Sequence, residues 1–218
     1  MEIHIMEEET SIAIPLEKEP NRSVREYPSF VDRIVRRRIA ISLTCFLSLI
    51  VLNLVIRRTL PFNPIDGTQL GSMLGMGSVL AGLSIRSWAA GTLHKSAEVT
   101  SIGPYALVRN PLYVGSFLMM FGFCILMKDW FALAFAAGPL TVLYWFQVRV
   151  EEHNLSNWFG PAWEQYAACT GRFFPRKLNW SLFSGWSAGQ WLRNREYQAV
   201  FATSMGLTVL WLLVLGKS

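Results

Sequence analysis

Two adjacent glutamates, Glu151 and Glu152, stand at the end of a long apolar run. The helical pattern of that run continues as far as Gly160, so both carboxylates lie on a helix. A carboxylate that faces lipid or an apolar core is costly, so we expect the pair to face water or a polar cavity. Two interpretations stay open: a solvated helix exit with an Arg149–Glu152 surface pair, or a pair that holds the ammonium group of a zwitterionic ligand.

A second candidate lies in the segment Gly-Pro-Tyr-Ala-Leu-Val-Arg-Asn-Pro-Leu-Tyr, residues 103–113. Asn110 followed by Pro111 predicts a helix start, because Asn is a good N-cap and Pro suits the first helical position. The free N–H groups of that first turn suit a carboxylate. An ordinary capped helix, with Tyr105 and Tyr113 as interfacial aromatics, is the alternative.

The elements that must position these residues are long apolar segments. The chain is 52% hydrophobic but only 16% charged, and its charges cluster between uncharged stretches. This pattern predicts an all-α fold, a polytopic membrane helical bundle of about five transmembrane helices. We place the spans at about residues 39–56, 70–87, 112–127, 130–148 and 199–215. Residues 1–38 form a polar N-terminal cytoplasmic arm, and residues 39–218 form the membrane domain.

The distribution of Lys and Arg predicts the orientation. With the N-terminus in the cytoplasm, the outer side carries only Arg57, Arg58, Lys128 and Lys217. Residues 92–111 and 149–198 then share the cytoplasmic side, and Arg86 snorkels to it from a helix end. We expect a multi-pass integral membrane protein of a bacterial inner membrane.

Small residues recur every four positions in the second predicted span, at Gly71 and Gly75 and at Ser78 and Gly82. Small residues at this spacing allow helix backbones to approach closely in lipid. We therefore expect this span to pack tightly against another helix of the same chain.

Two further classes of site are disfavoured. Basic residues sit at the ends of apolar runs rather than among exposed aromatics, which argues against a nucleic-acid partner. No Cys or His residues have metal-ligand spacing, so we expect no metal.

The ordered motifs resemble the isoprenylcysteine carboxyl methyltransferase family, whose pattern phospholipid N-methyltransferases share. The matching residues begin with Gly103, Pro104, Tyr105, Arg109, Asn110, Pro111, Tyr113 and Gly115. They continue with Glu151, Glu152, Leu155, Phe159, Gly160, Tyr166, Arg172 and Pro175. Eukaryotic carboxyl methyltransferases carry His where Asn110 stands, which weakens transfer of the prenylcysteine substrate.

The resemblance implies S-adenosylmethionine as methyl donor and a cytoplasmic site for it. It implies cofactor-binding roles for Val99, Thr100, Tyr105, Asn110, Pro111, Leu112, Tyr113, Glu151 and Glu152. It also favours Glu151 over Glu152 as the inward residue, since successive helical residues point about 100° apart.

The predicted function is therefore an integral membrane methyltransferase acting on a lipid-like or prenylated acceptor. A carboxylate acceptor wants a cation, for which Arg149 is the catalytic candidate. An amine acceptor, as in phospholipid N-methylation, must lose a proton, and Glu151 or Glu152 can take it. The alternative from another class is a non-enzymatic membrane scaffold or small transporter.

Overall fold

The computed structural model describes residues 59–94, 98–176 and 185–216, together with positions 44, 48, 51–53 and 55. The predicted N-terminal arm and most of the first predicted span, 39–56, lie outside these residues. The described residues are mostly helical and contain no β-strand, only an isolated bridge between Val108 and Gly171. The prediction of an all-α fold is confirmed to that extent, whereas the number of spans stays a prediction.

Seven α-helices follow one another along the described chain. They are α1 (Leu70–Thr92), α2 (Pro111–Leu126), α3 (Trp130–Phe135), α4 (Thr141–Phe159), α5 (Pro161–Cys169), α6 (Ala188–Arg193) and α7 (Tyr197–Leu215). A 3₁₀ turn, Gly103–Ala106, precedes α2. A π-helical turn, Ala136–Leu140, joins α3 to α4 and contains Pro139. Proline has no N–H for the regular hydrogen-bond ladder, which accounts for a widened turn at this point.

Among the described residues, two helices are long and apolar enough to cross a bilayer by length and composition. One is the continuous helix Trp130–Phe159, of 30 residues, and the other is α7, of 19 residues. They correspond to the fourth and fifth predicted spans. Helix α2 is apolar but shorter, at 16 residues.

Helices α1 and α2 are in direct backbone contact through their glycines. A Cβ added at Gly82 would lie 2.5 Å from the carbonyl oxygen of Gly115, and one added at Gly122 would lie 2.6 Å from that of Gly75. The Ser78 hydroxyl donates to the Leu118 carbonyl at 2.8 Å. The small-residue stripe therefore packs within the chain, as its spacing predicts.

A tight hairpin joins α2 to α3. Lys128 adopts a positive φ of 55°. The buried Asp129 then caps α3, accepting from the backbone N–H groups of Phe131 and Ala132 at 3.1 and 3.0 Å. At this end of the bundle Val79, Leu126, Met127 and Leu210 form a core cluster between α1, α2 and α7.

The segment before α7 docks on the opposite end of α1. The last carbonyls of a helix lack partners within it. Here Ser187 N–H donates to the Gly91 carbonyl at 2.9 Å, and the Asn194 amide donates to those of Ala90 and Leu93 at 2.8 and 3.0 Å. This docking places the start of α7 beside the polar segment that follows α1.

Candidate functional site

A cavity of about 500 Å³ lies between the end of α1, the segment before α2, the start of α2, the last turns of α4 and helix α5. This volume is within the range of small-molecule sites. Most of the residues predicted to bind the cofactor line it, namely Val99, Thr100, Tyr105, Asn110, Pro111, Leu112, Tyr113 and Glu151. Tertiary folding thus brings together residues from three separate stretches of the chain.

Glu151 stands in this cavity and is held by Tyr113. The Tyr113 hydroxyl donates to Glu151 Oε2 at 2.7 Å. The Tyr144 ring packs edge-on against Tyr113, with ring centroids 5.8 Å apart, and also lines the cavity. A carboxylate flanked by aromatic rings suits a cationic group, which both the charge and the ring faces attract.

Glu152 points elsewhere, into a buried ion network. Its side chain accepts from Arg172 Nη2 at 2.6 Å and Nε at 3.0 Å, and from the Asn110 amide at 3.0 Å. Arg109 Nη1 lies 3.4 Å from the same carboxylate. Glu152 is 7% exposed and does not line the cavity. Its predicted cofactor-binding role stays a prediction, and its observed partners join α4 to the segments before α2 and after α5.

Arg149, the second catalytic candidate, lies on the exposed part of α4 and does not line the cavity. The Arg149–Glu152 surface pair considered above does not form, because Glu152 is engaged by Arg109 and Arg172. Arg172 is itself placed by the Trp145 ring, whose centroid lies 5.2 Å from its guanidinium carbon. An arginine on an aromatic face is desolvated cheaply, which favours its buried pairing.

Asn110 occupies the N-cap position of α2, but its side chain makes no capping hydrogen bond. The amide donates instead to Glu152 and, at 3.4 Å, to the Arg172 carbonyl. Asn110 therefore stands at the predicted position, but the expectation that its side chain caps the helix is wrong. A hydrogen bond that the amide donates to a charged carboxylate is stronger than one that it accepts from a neutral backbone N–H. Pro111, at the first helical position, has no backbone N–H that would need a capping partner.

The segment before α2 is held by a hydrogen bond between two tyrosines and by the chain after α5. Tyr166 donates to the Tyr105 carbonyl at 2.8 Å, and the Arg109 N–H donates to the Gly171 carbonyl at 2.8 Å. Burial raises the pKa of Tyr105 and that of Tyr166 well above the ordinary value, so both stay neutral phenols. Burial also lowers the pKa of Arg109, and Glu152 opposes that shift.

Arg86 is a cavity residue to which the sequence analysis gave no binding role. Its guanidinium pairs with Glu196, with Nε 2.8 Å from Oε1, and its predicted snorkelling to the cytoplasmic side stays a prediction. A charged residue inside an apolar helix is itself the signal of a buried polar site. Further lining residues without an assigned role in the sequence interpretation are His94, Glu98, Ser116, Tyr144, Trp158 and Trp163. Within the described ranges, no three His, Cys, Asp or Glu side chains are grouped to hold a metal ion.

The described residues thus combine two helices long and apolar enough to cross a membrane with a cavity of small-molecule size. Residues 68–162 match the family model of phospholipid methyltransferases. This match confirms, over that part of the chain, the resemblance to the isoprenylcysteine and phospholipid methyltransferase group that the motifs carry. The matched segment contains α1, α2, α3 and α4, and with them Tyr105, Asn110, Tyr113 and the two glutamates.

Two curated proteins are similar over about half of the chain. The nickel-cobalt-cadmium resistance protein NccN of Alcaligenes xylosoxydans xylosoxydans is 35% identical over 106 residues, which cover 48% of this chain and 48% of that protein. The cobalt-zinc-cadmium resistance protein CzcN of Cupriavidus metallidurans is 32% identical over 116 residues, or 51% and 53%. The matches thus span about half the length of each relative. No solved structure matches the chain.

Proposed function

We propose that this protein is an integral membrane methyltransferase that moves a methyl group from S-adenosylmethionine to a lipid-like or prenylated acceptor. The observation that carries the proposal is the Tyr113–Glu151 pair, 2.7 Å apart, in a cavity of about 500 Å³. The family match over residues 68–162 covers both residues and supports the same chemistry.

The residues present fit the methyl donor. S-adenosylmethionine is a zwitterion with a sulfonium, and it supplies an electrophilic methyl group. Glu151 would hold its ammonium or the neighbouring sulfonium charge, and the first turn of α2, at Pro111 and Leu112, would face its carboxylate. Val99, Thr100 and the aromatic rings would enclose the rest and exclude water. Positioning and desolvation by these groups are what such a transfer requires of a protein.

The geometry favours an amine over a carboxylate as the acceptor. An amine must lose a proton, and Glu151 stands on the cavity where a base is needed. A carboxylate acceptor instead wants a cation. Arg149, which was foreseen for this role, does not line the cavity, and Arg86, which does line it, is already paired with Glu196. A phospholipid amine headgroup is therefore the acceptor class that we propose first, with prenylated carboxylates as the comparison substrate.

The names of the two relatives support a second candidate function. Both are named as metal resistance proteins. A non-enzymatic membrane scaffold or small transporter with a role in metal resistance would not bind S-adenosylmethionine at Tyr113 and Glu151. Binding of the methyl donor therefore separates the two functions.

The deciding experiment is a calorimetric titration of the purified full chain with S-adenosylmethionine and with S-adenosylhomocysteine. We expect saturable binding of both, and loss of it in Glu151→Gln. Lipid mass spectrometry of cells with and without the protein then identifies the acceptor from a mass shift of one methyl group. Failure of both nucleosides to bind the folded wild-type protein would favour the scaffold or transporter.

A further inference from the structure

Three helices converge on the guanidinium of Arg86. In α1, Arg86 donates from Nε to Glu196 Oε1 at 2.8 Å and from Nη2 to Glu196 Oε2 at 2.9 Å. Its Nη1 donates to the Ser116 hydroxyl of α2 at 2.5 Å. Glu196 is the residue before the first turn of α7, where the helix dipole favours a negative charge. The guanidinium is therefore held in one orientation from two sides.

The pair presents its positive end to the cavity. The Arg86 side chain is 24% exposed, whereas that of Glu196 is 4% exposed. Arg86 and Ser116 both line the cavity, and Glu196 does not. An arginine has five N–H donors, and the bonds above use three of them, so Nη1 and Nη2 each keep one. A fixed dipole of this kind attracts an anion without having to reorganise when the anion binds.

Arg86 and Glu151 are also electrostatic neighbours of one side chain, Tyr105. Both charges act on its hydroxyl, Arg86 lowering and Glu151 raising the pKa that burial has already raised. The cavity lining thus includes a positive group, a negative group and a neutral phenol. A ligand with both charges matches this arrangement better than a singly charged one.

Stability alone gives a poor reason for this ion pair. Burying an arginine and a glutamate costs desolvation energy that their attraction often fails to repay, and apolar residues of similar size commonly do as well. A charge in an apolar helix is more often tied to a ligand or a pathway. Because Arg86 lines the cavity, a ligand there is the natural reason for its charge.

We propose that Arg86 binds an oxyanion of the molecule in the cavity, a carboxylate or a phosphate, and that Glu196 and Ser116 position it. This inference rests on the proposed methyltransferase function. The oxyanion has two possible sources: the α-carboxylate of the methyl donor, or the phosphate or carboxylate of the acceptor. Both offer the same paired oxygens to the remaining N–H groups of the guanidinium.

The test compares Arg86→Gln with the wild type, using Arg193→Gln as a matched control because Arg193 is an exposed residue of α6. The probes are S-adenosylhomocysteine and 5′-methylthioadenosine, which lacks the amino-acid end. If the donor supplies the oxyanion, Arg86→Gln weakens binding of the first about 10- to 100-fold and leaves the second unchanged. If the acceptor supplies it, both affinities hold and the KM for phosphatidylethanolamine or a farnesylated cysteine rises by a similar factor.

An unchanged affinity for S-adenosylhomocysteine together with an unchanged acceptor KM would overturn the proposal. So would equal weakening of both nucleosides, because that result means a deformed site rather than a lost ionic contact. If Arg86→Gln does not fold, Ser116→Ala takes its place. We then expect the affinity for S-adenosylhomocysteine or the acceptor KM to change about threefold. No change in either quantity would contradict the proposal. Absence of nucleoside binding by the wild type would instead refute the methyltransferase function.

Discussion

The side-chain amide of Asn110 donates a hydrogen bond to Glu152 Oε1 at 3.0 Å, across 42 positions of the chain. Both residues are buried, at 8% and 7% exposure. The contact ties the start of α2 to the end of α4, which are the two elements that carry Tyr113 and Glu151. Glu152 therefore stabilises the wall of the cavity without lining it, whereas Glu151 lines the cavity.

Glu152→Gln should destabilise the protein by about 3 kcal/mol, because it leaves the partly buried guanidinium groups of Arg109 and Arg172 without a carboxylate. The measurement is the free energy of unfolding in detergent, followed with a denaturant. Glu151→Gln is the matched control and should unfold like the wild type, since Glu151 is exposed. Equal stability of the two variants would contradict the buried network.

Glu151→Gln should abolish most methyl transfer while leaving protein yield unchanged. The substitution keeps the shape of the side chain and its contact with Tyr113 but removes the negative charge from the cavity. Turnover with an amine acceptor is the readout, together with the affinity for S-adenosylmethionine. Normal turnover in this variant would mean that the glutamate is a solvated helix exit.

Asn110→Ser should cost about 1 kcal/mol of stability, and Asn110→Ala should cost the same. Serine caps helices about as well as asparagine, so a capping role predicts no loss for the serine variant. Its hydroxyl is too short to reach Glu152 in place of the amide. The free energy of unfolding in detergent distinguishes the two roles. A serine variant as stable as the wild type would support a capping role for Asn110 instead.

Gly82→Ala should destabilise the contact between α1 and α2 by about 2 kcal/mol, because its Cβ would lie 2.5 Å from the Gly115 carbonyl oxygen. Gly77→Ala is the control in the same helix, where a Cβ meets nothing within 4 Å. Helix propensity alone should leave that variant as stable as the wild type or slightly more so. Comparable losses at both positions would count against close backbone packing.

Cys169, which is the exposed last residue of α5, should react only with thiol reagents supplied from the cytoplasmic side. A cysteine at Gly67, introduced in a Cys169→Ser background, should react only from the outside. The basis is the distribution of Lys and Arg between the two sides. Labelling of both positions from one side would refute the predicted orientation.

The sequence by itself determined much of the helical framework. Uninterrupted apolar runs foretold the helices of residues 130–148 and 199–215, because an apolar helix needs only local hydrogen bonds and length. The spacing of Gly75, Ser78 and Gly82 likewise foretold close helix packing, since that spacing puts the small residues on one helical face. The motif residues around Tyr105, Asn110 and Glu151 were also recognisable, because each motif is a short continuous run of the sequence.

Only the tertiary structure decided which partners these side chains take. Arg86 pairs with Glu196, 110 positions away, and Glu152 takes Arg172 rather than Arg149 on its own helix. Such choices depend on which helices pack together and on which charges lose their water, and neither is encoded in local spacing. Buried carboxylates accept the donors that the fold brings within reach, because leaving them unpaired costs far more than any local alternative gains.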